Sequence, residues 1–170
     1  YNSNIVLKNV IFKDSNSEDA LNLINSKGNL ENIQILKAKS DGIDFDFSTG
    51  VINNAEIDSI GGDGLDFSGS TFKINNILIK NSKDKGISIG EKSKIMATNI
   101  NIKNSDTGIA VKDNSFLDLK SSIFVENNFD ITAYNKKAYY KKGGTVNIED
   151  VIFDNNKIEF SNDSVINFIN

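Results

Sequence analysis

The chain carries apolar residues that recur with a period of 22 residues. One column consists of Leu21, Ile43, Leu65, Ile87, Ile109 and Ile131. A second column, two positions further along, consists of Leu23, Phe45, Phe67, Ile89, Val111 and Ala133. Apolar and polar positions alternate within each repeat, as in Ile43-Asp44-Phe45, and this period of two predicts β-strands.

Two more families of alternating apolar residues complete each repeat. One runs through Val10/Phe12, Ile33/Ile35, Ala55/Ile57, Ile77/Ile79, Ile100/Ile102, Ile123/Val125 and Val151/Phe153. The other includes Leu30, Ile52, Phe72/Ile74, Ile95, Leu117/Leu119 and Val146/Ile148. Three short strands per coil predict an all-β fold, a parallel β-helix solenoid of about seven coils of about 22 residues. A leucine-rich repeat is disfavoured, because a leucine-dominated consensus is absent.

Asparagine recurs at the turn that follows the second strand family. The column consists of Asn81, Asn104, Asn127 and Asn155. Asparagine tolerates the left-handed backbone conformation that a sharp turn requires, and stacked amides hydrogen-bond from coil to coil. The column therefore predicts a structural turn ladder.

Length and composition favour one elongated domain over residues 1–170. A hydrophobic fraction of 38% is low for a globular core, but each coil of a solenoid buries only a narrow strip of side chains. The sequence contains no cysteine or histidine, and every basic residue is lysine. The absence of cysteine excludes disulfides and thiolate metal sites.

Charge and hydropathy argue against a nucleic-acid partner and against a membrane-spanning segment. A net charge of −4 argues against a broad nucleic-acid-binding face. No stretch approaches the roughly 20 apolar residues of a membrane span. Tyr1–Lys8 shows no signal peptide, with no charged region followed by an apolar one.

The aliphatic stacks, the turn asparagines and the coil pattern resemble the pectate-lyase-like superfamily of right-handed parallel β-helices, from Leu7 to the C-terminus. Three segments, Asp41–Ser48, Lys85–Ser93 and Gly108–Ser115, look more narrowly like bacterial β-helix regions that accompany spore-coat-protein-H-type kinase domains. The resemblance implies an extracellular or cell-surface location. It does not fix the function, because the superfamily includes lyases, hydrolases, esterases, epimerases and non-catalytic surface proteins.

The period breaks in the loop Tyr134–Gly144. The next member of the first column after Ile131 is Ile158, at a spacing of 27 residues rather than 22. Loops that project from a solenoid often carry binding residues, since tyrosine rings stack on sugars and lysines attract acidic groups. The candidate ligand-binding residues are Tyr134, Lys136, Lys137, Tyr139, Tyr140 and Lys141. The alternative is a solvated loop whose tyrosines cover the solenoid.

The pattern begins and ends within a coil, at Asn4–Leu7 and Val165–Ile169. Solenoids need caps over their end coils. We therefore expect a piece of a longer β-helix, an adjacent domain of the same protein, or end-to-end self-association.

Acidic residues also stack in register. One column consists of Asp19, Asp41, Asp63 and then Lys85, and another of Asn22, Asp44, Asp66 and Ser88. Neighbouring coils are about 4.8 Å apart, so these carboxylates repel unless a cation or lysine intervenes. Three interpretations stay open: a turn ladder of Asp-Gly pairs, a calcium site at Asp41, Asp44, Asp63 and Asp66, and a catalytic carboxylate pair.

Two functions follow from these observations. The first is a non-catalytic module for glycan binding or structural scaffolding. The second is an aspartate-dependent polysaccharide-active enzyme, such as a glycoside hydrolase, lyase or epimerase, or a fragment of one. The Asn-Thr-Asp, Asp-Asp and Gly-His-Gly motifs of polygalacturonase-like members are absent, as is the arginine base of the lyases. These absences favour the first function.

Overall fold

The computed structural model describes residues 1–154 and 156–169, which form a parallel β-solenoid of about eight turns. Each coil contributes one long and one short strand. The long strands are β1 (Asn4–Ser15), β3 (Lys27–Ala38), β5 (Thr49–Ile60), β7 (Thr71–Ser82), β9 (Lys94–Lys103), β11 (Phe116–Val125), β13 (Thr145–Phe153) and β15 (Val165–Ile169). The short strands are β2 (Asp19–Ile24), β4 (Asp41–Asp46), β6 (Leu65–Ser68), β8 (Lys85–Gly90), β10 (Thr107–Lys112), β12 (Phe129–Tyr134) and β14 (Ile158–Phe160).

The long strands pair in chain order to form one parallel sheet, and the short strands form a second. The only helical segment of the described chain is a 3₁₀ turn at Ala138–Tyr140. The described part of the chain contains no helix long and apolar enough to cross a membrane.

The predicted apolar columns are confirmed as the core. Ile43, Leu65 and Ile87 are paired in register and fully buried. Ile131 pairs with Ile158, so the strand register is kept across the 27-residue spacing. The extra residues form a loop. The inward side chains stack at the strand spacing, which is the arrangement that a constant period predicts.

The second and third strand families are two halves of each long strand rather than separate strands. A residue with positive φ bends the strand between them. In five coils this residue is an asparagine: Asn9, Asn32, Asn54, Asn76 and Asn99. Their exposed amides form a ladder in which each side chain donates to the preceding one, with Nδ2–Oδ1 distances of 2.5 to 3.2 Å. The coil is therefore three-sided although it has two strands.

The predicted asparagine column forms only in part. Asn81 and Asn104 have positive φ, and Asn104 Nδ2 donates to Asn81 Oδ1 at 2.6 Å. Asn127 is instead buried, because Glu126 takes the left-handed position and turns Asn127 inward. There Asn127 Oδ1 accepts a hydrogen bond from the Ser105 amide. Asn155 lies outside the described residues.

Candidate functional site

The outer surface of the short-strand sheet, here called the short-strand face, holds the predicted acidic columns. Alternation along β4 and β6 buries Phe45 and Phe67 and directs Asp44 and Asp66 outward. Asp44 pairs in register with Asp66. Asp46, the residue after Phe45, points to the same outer side as Asp44. We call Asp44, Asp46 and Asp66 the acidic cluster.

Asp41, the first residue of β4, and Asp63, two residues before β6, have a structural role where the short strands begin. Asp41 Oδ1 accepts a hydrogen bond from the Asp63 amide at 2.8 Å, and Asp63 Oδ1 accepts one from the Lys85 amide at 3.0 Å. Lys85 Nζ lies 3.5 Å from Asp63 Oδ1. The turn-ladder interpretation accounts for both carboxylates. A side chain at Gly62 would collide with Asp41, since a Cβ there would lie 2.0 Å from Oδ1.

The acidic cluster lacks such partners. No lysine lies within 4.0 Å of its carboxylates among the described residues. Asp44 Oδ2 accepts one hydrogen bond, from Asn22 Nδ2 at 3.0 Å. Burial, followed by the charges of Asp46 and Asp66, raises the pKa of Asp44 to about 7. Burial also raises the pKa of Asp41, to about 6.

The four aspartates proposed to bind calcium do not form a ready-made site. Within residues 1–154 and 156–169, no three Asp, Glu, His or Cys side chains are arranged to hold a metal ion. Asp41 and Asp63 already accept backbone hydrogen bonds. Calcium binding by Asp41, Asp44, Asp63 and Asp66 would require side chains to move, and it stays a prediction.

Lys112 is a charged residue of the short-strand face that the sequence did not single out. Its side chain is only 6% exposed, and Nζ donates to Ser88 Oγ at 2.7 Å. The lysine stem lies over Gly90, where a Cβ would be in ordinary contact with Lys112 Cε, 3.5 Å away. Burial lowers the pKa of Lys112, and the charge of Asp66 opposes that effect. The face therefore combines an amine with carboxyl groups.

The loop Tyr134–Gly144 lies at the edge of the short-strand face. Asp113 fastens it, because Asp113 Oδ1 accepts hydrogen bonds from the amides of Lys136 and Lys137 at 2.7 and 2.8 Å. The Lys137 ammonium also pairs with Glu91. Burial, then the charge of Asp66 and then that of Glu91 raise the pKa of Asp46. Glu91 follows Gly90, which the strand register places two coil spacings, about 10 Å, from Asp46, so the loop and the acidic cluster lie on the same face without touching.

The candidate residues of the loop differ in accessibility. Tyr139 is 70% exposed, whereas Tyr140 is only 8% exposed. The two rings pack against each other with their centroids 4.1 Å apart. Lys92 Nζ lies 5.8 Å from the centre of the Tyr140 ring. Lys136 and Lys141 are exposed, and Tyr134 is half-buried. Tyr139 thus presents a ring to solvent, while Tyr140 supports it.

Comparison with models of protein families gives a match over most of the chain. The sequence model of the family described as a right-handed β-helix region matches residues 19–170. No curated protein matches the chain. The narrower resemblance to regions that accompany spore-coat-protein-H-type kinase domains stays a prediction.

Proposed function

The chain belongs to the right-handed β-helix family, and from this premise we propose that it is a non-catalytic glycan-binding module of an extracellular or cell-surface protein. The family fold alone does not determine a function, so the proposal rests on the site. The solenoid places outward side chains at fixed intervals, which suits an extended polysaccharide. Scaffolding for an adjacent domain is compatible with this role.

The acidic cluster is the observation that supports glycan binding most directly. Asp44, Asp46 and Asp66 point outward from adjacent coils and lack a lysine partner among the described residues. Carboxyl groups accept hydrogen bonds from hydroxyl groups in both protonation states, and the ionised form accepts them more strongly. A neutral sugar supplies such donors, whereas an acidic sugar would be repelled. The proposed ligand of this face is therefore a neutral glycan.

The loop supplies a stacking surface on the same face, and its ion pair with Glu91 lies about two coil spacings, about 10 Å, from Asp46. Tyr139 is exposed and is backed by the buried Tyr140. An aromatic face contributes apolar contact area at a low entropic cost, because Tyr has few rotatable bonds. We propose that a sugar ring stacks on Tyr139 while its neighbours hydrogen-bond to the acidic cluster.

A glycan array first identifies neutral oligosaccharides that the protein binds. Calorimetric titration with these oligosaccharides then tests the proposal. The double variant Asp44→Asn Asp66→Asn and the single variant Tyr139→Ala should each weaken binding. Glu31→Gln serves as a control, since Glu31 lies on the long-strand sheet and pairs with Lys8. The absence of binding to any neutral glycan, or equal affinity in all variants, would contradict the proposal.

The raised pKa of Asp44 favours a second candidate function, glycoside hydrolysis. A carboxyl with a pKa of about 7 is protonated in about half of the molecules at neutral pH, as a general acid requires. Asp66 lies one strand spacing away, about 5 Å, which is the separation typical of retaining glycosidases. Release of reducing ends that is lost in both Asp44→Asn and Asp66→Asn, with binding retained, would establish the enzyme. Binding without product supports the module.

A further inference from the structure

The loop Tyr134–Gly144 concentrates exposed lysines at one corner of the solenoid, here called the lysine corner. Its lysines, four from the loop and one from the turn after β8, are Lys92, Lys136, Lys137, Lys141 and Lys142. All five are exposed. Lys92 belongs with the loop because its Nζ lies 5.8 Å from the centre of the Tyr140 ring.

The loop is fastened at both ends, so its lysines are not carried on a free chain. At the entry, the buried Asp113 accepts the hydrogen bonds from the amides of Lys136 and Lys137. At the exit, the Asn114 amide donates to the Lys142 carbonyl oxygen at 3.0 Å. A surface that is ordered before binding loses little conformational entropy on contact.

Positive charge is in surplus at the lysine corner. The turns that fasten the loop carry three carboxylates, those of Glu91, Asp113 and Asp163, and Glu91 pairs with Lys137. The other lysines of the corner have no carboxylate within 4.0 Å among the described residues: Lys92, Lys136, Lys141 and Lys142. These four ammonium groups outnumber the two remaining carboxylates, although the whole chain has a net charge of −4.

The acidic cluster is too distant to cancel this charge. Glu91, the nearest acidic residue of the corner in the strand register, lies about two coil spacings, about 10 Å, from Asp46. The Debye length at physiological ionic strength is about 8 Å, so exposed charges further apart than this are largely screened. The lysine corner therefore acts as a separate basic patch on an otherwise acidic molecule.

We propose that the lysine corner docks on the surface of an anionic phospholipid bilayer, where its ammonium groups contact the lipid phosphates. The 70% exposed ring of Tyr139 suits the boundary between headgroups and acyl chains, because its body is apolar and its hydroxyl is polar. A soluble polyanion would use the lysines but not the ring. The inference goes beyond the glycan-binding role, which uses Tyr139 and leaves the lysines unassigned. Each lysine near an anionic bilayer raises the affinity roughly fivefold, so the docking is reversible.

Cosedimentation with vesicles of phosphatidylcholine and phosphatidylglycerol tests the docking, with pure phosphatidylcholine vesicles as the neutral comparison. The wild type should sediment with the anionic vesicles only, and less so at high salt. Removing two ammonium groups in Lys136→Ser Lys142→Ser should weaken the binding roughly 25-fold. The matched control is Lys73→Ser Lys94→Ser, which makes the same change of charge at exposed positions on the long-strand sheet and should bind nearly as the wild type does. Melting temperatures verify that both variants are folded.

Four outcomes would overturn the proposal. The wild type could fail to sediment with anionic vesicles, or it could sediment equally with neutral ones. The loop and control variants could lose affinity equally. Soluble polyphosphate could bind as tightly as the vesicles, which would identify a polyanion site rather than a membrane contact.

The two proposed roles fail separately. Asp44→Asn Asp66→Asn should lose neutral-glycan binding and sediment with anionic vesicles at least as well as the wild type. Lys136→Ser Lys142→Ser should do the reverse, because it leaves Tyr139 and the acidic cluster unchanged.

Discussion

The ring of Phe45 lies flat on the ring of Phe67, with centroids 4.8 Å apart and an angle of 7° between their planes. The centroid separation equals the distance between neighbouring strands, so the aromatic stack follows the coil spacing. Phe72 packs against both rings at tilted angles. The three side chains fill the core beneath the acidic cluster, and they support the strands that carry Asp44 and Asp66.

Truncating a ring in this stack should be costly. Phe45→Ala or Phe67→Ala should lower the free energy of unfolding by about 3–5 kcal/mol, because the cavity cannot close while the coils above and below hold their spacing. Lys136→Ala should cost almost nothing, since the Lys136 side chain is exposed and its bond to Asp113 uses the backbone amide. Chemical denaturation measures all three, and equal losses would contradict the assignment of the core.

The asparagine ladder at the bend of the long strands makes a different prediction. Asn54 has a φ of 58° and bonds through its side chain to Asn32 and Asn76. Asn54→Ala should destabilise the fold by about 1–2 kcal/mol from backbone conformation, besides the lost hydrogen bonds. Asn54→Gly should cost less, because glycine adopts positive φ freely.

Asn29→Ala is the control for that series, since Asn29 is exposed on β3 without a positive φ. It should unfold at nearly the same denaturant concentration as the wild type. If alanine and glycine at position 54 are equally tolerated, the bend does not depend on the left-handed conformation.

The acidic residues should make stability fall as pH rises. The pKa of Asp41 is raised to about 6 and that of Asp44 to about 7, from 3.8 in the unfolded chain. The folded state therefore binds protons more tightly between pH 4 and 7, and the carboxylates destabilise it increasingly as they ionise. The free energy of unfolding should be lower at pH 8 than at pH 5, and Asp44→Asn should reduce that difference.

Asp58→Asn provides a control, because the pKa of Asp58 is shifted in the opposite direction to those of Asp41 and Asp44. Hydrogen bonds from Asn81 and Lys80 outweigh burial and lower the pKa of Asp58 below 3.8. The stabilisation is therefore fully present at both pH 5 and pH 8. Asp58→Asn should lower the stability equally at both values and leave the difference unchanged. Denaturation in urea at each pH, with chelator present, measures the effect, and a stability that rises from pH 5 to pH 8 would contradict it.

Features that repeat could be predicted from the sequence, because residues that are one period apart lie next to each other on neighbouring coils of the solenoid. The spacing from Ile43 to Leu65 fixes both their stacking and the pairing of Asp44 with Asp66. The ladder from Asn9 to Asn99 carries the same signal in steps of 22 or 23 residues. The alternation of apolar residues does not indicate this ladder, because its bend lies inside a strand rather than between two strands.

Features that depend on contacts between unlike residues could not be predicted. The period places Lys112 beside Gly90, but it does not show that the lysine amine reaches Ser88 and is buried there. Tyr140 is buried because the loop is fastened through Asp113. Alternation along β10 shows that the position of Lys112 faces outward, but not what covers it.

The last prediction concerns calcium at Asp41, Asp44, Asp63 and Asp66. A cation that binds the folded state stabilises it, so calcium should raise the melting temperature if it draws these carboxylates together. Asp63→Asn should remove the response. In chelator it should also raise stability, because burial raises the pKa of Asp63 and the neutral amide avoids the cost of a buried charge.

The amide oxygen of asparagine can still accept the hydrogen bond from the Lys85 amide, so Asp63→Asn keeps the turn. Asp63→Ala is the matched comparison, since it removes the charge and the acceptor together. It should lower stability in chelator, where Asp63→Asn raises it. An unchanged wild-type melting temperature at millimolar calcium would end the metal hypothesis. The carboxylates of Asp41 and Asp63 would then act only in the turn ladder that their hydrogen bonds already form.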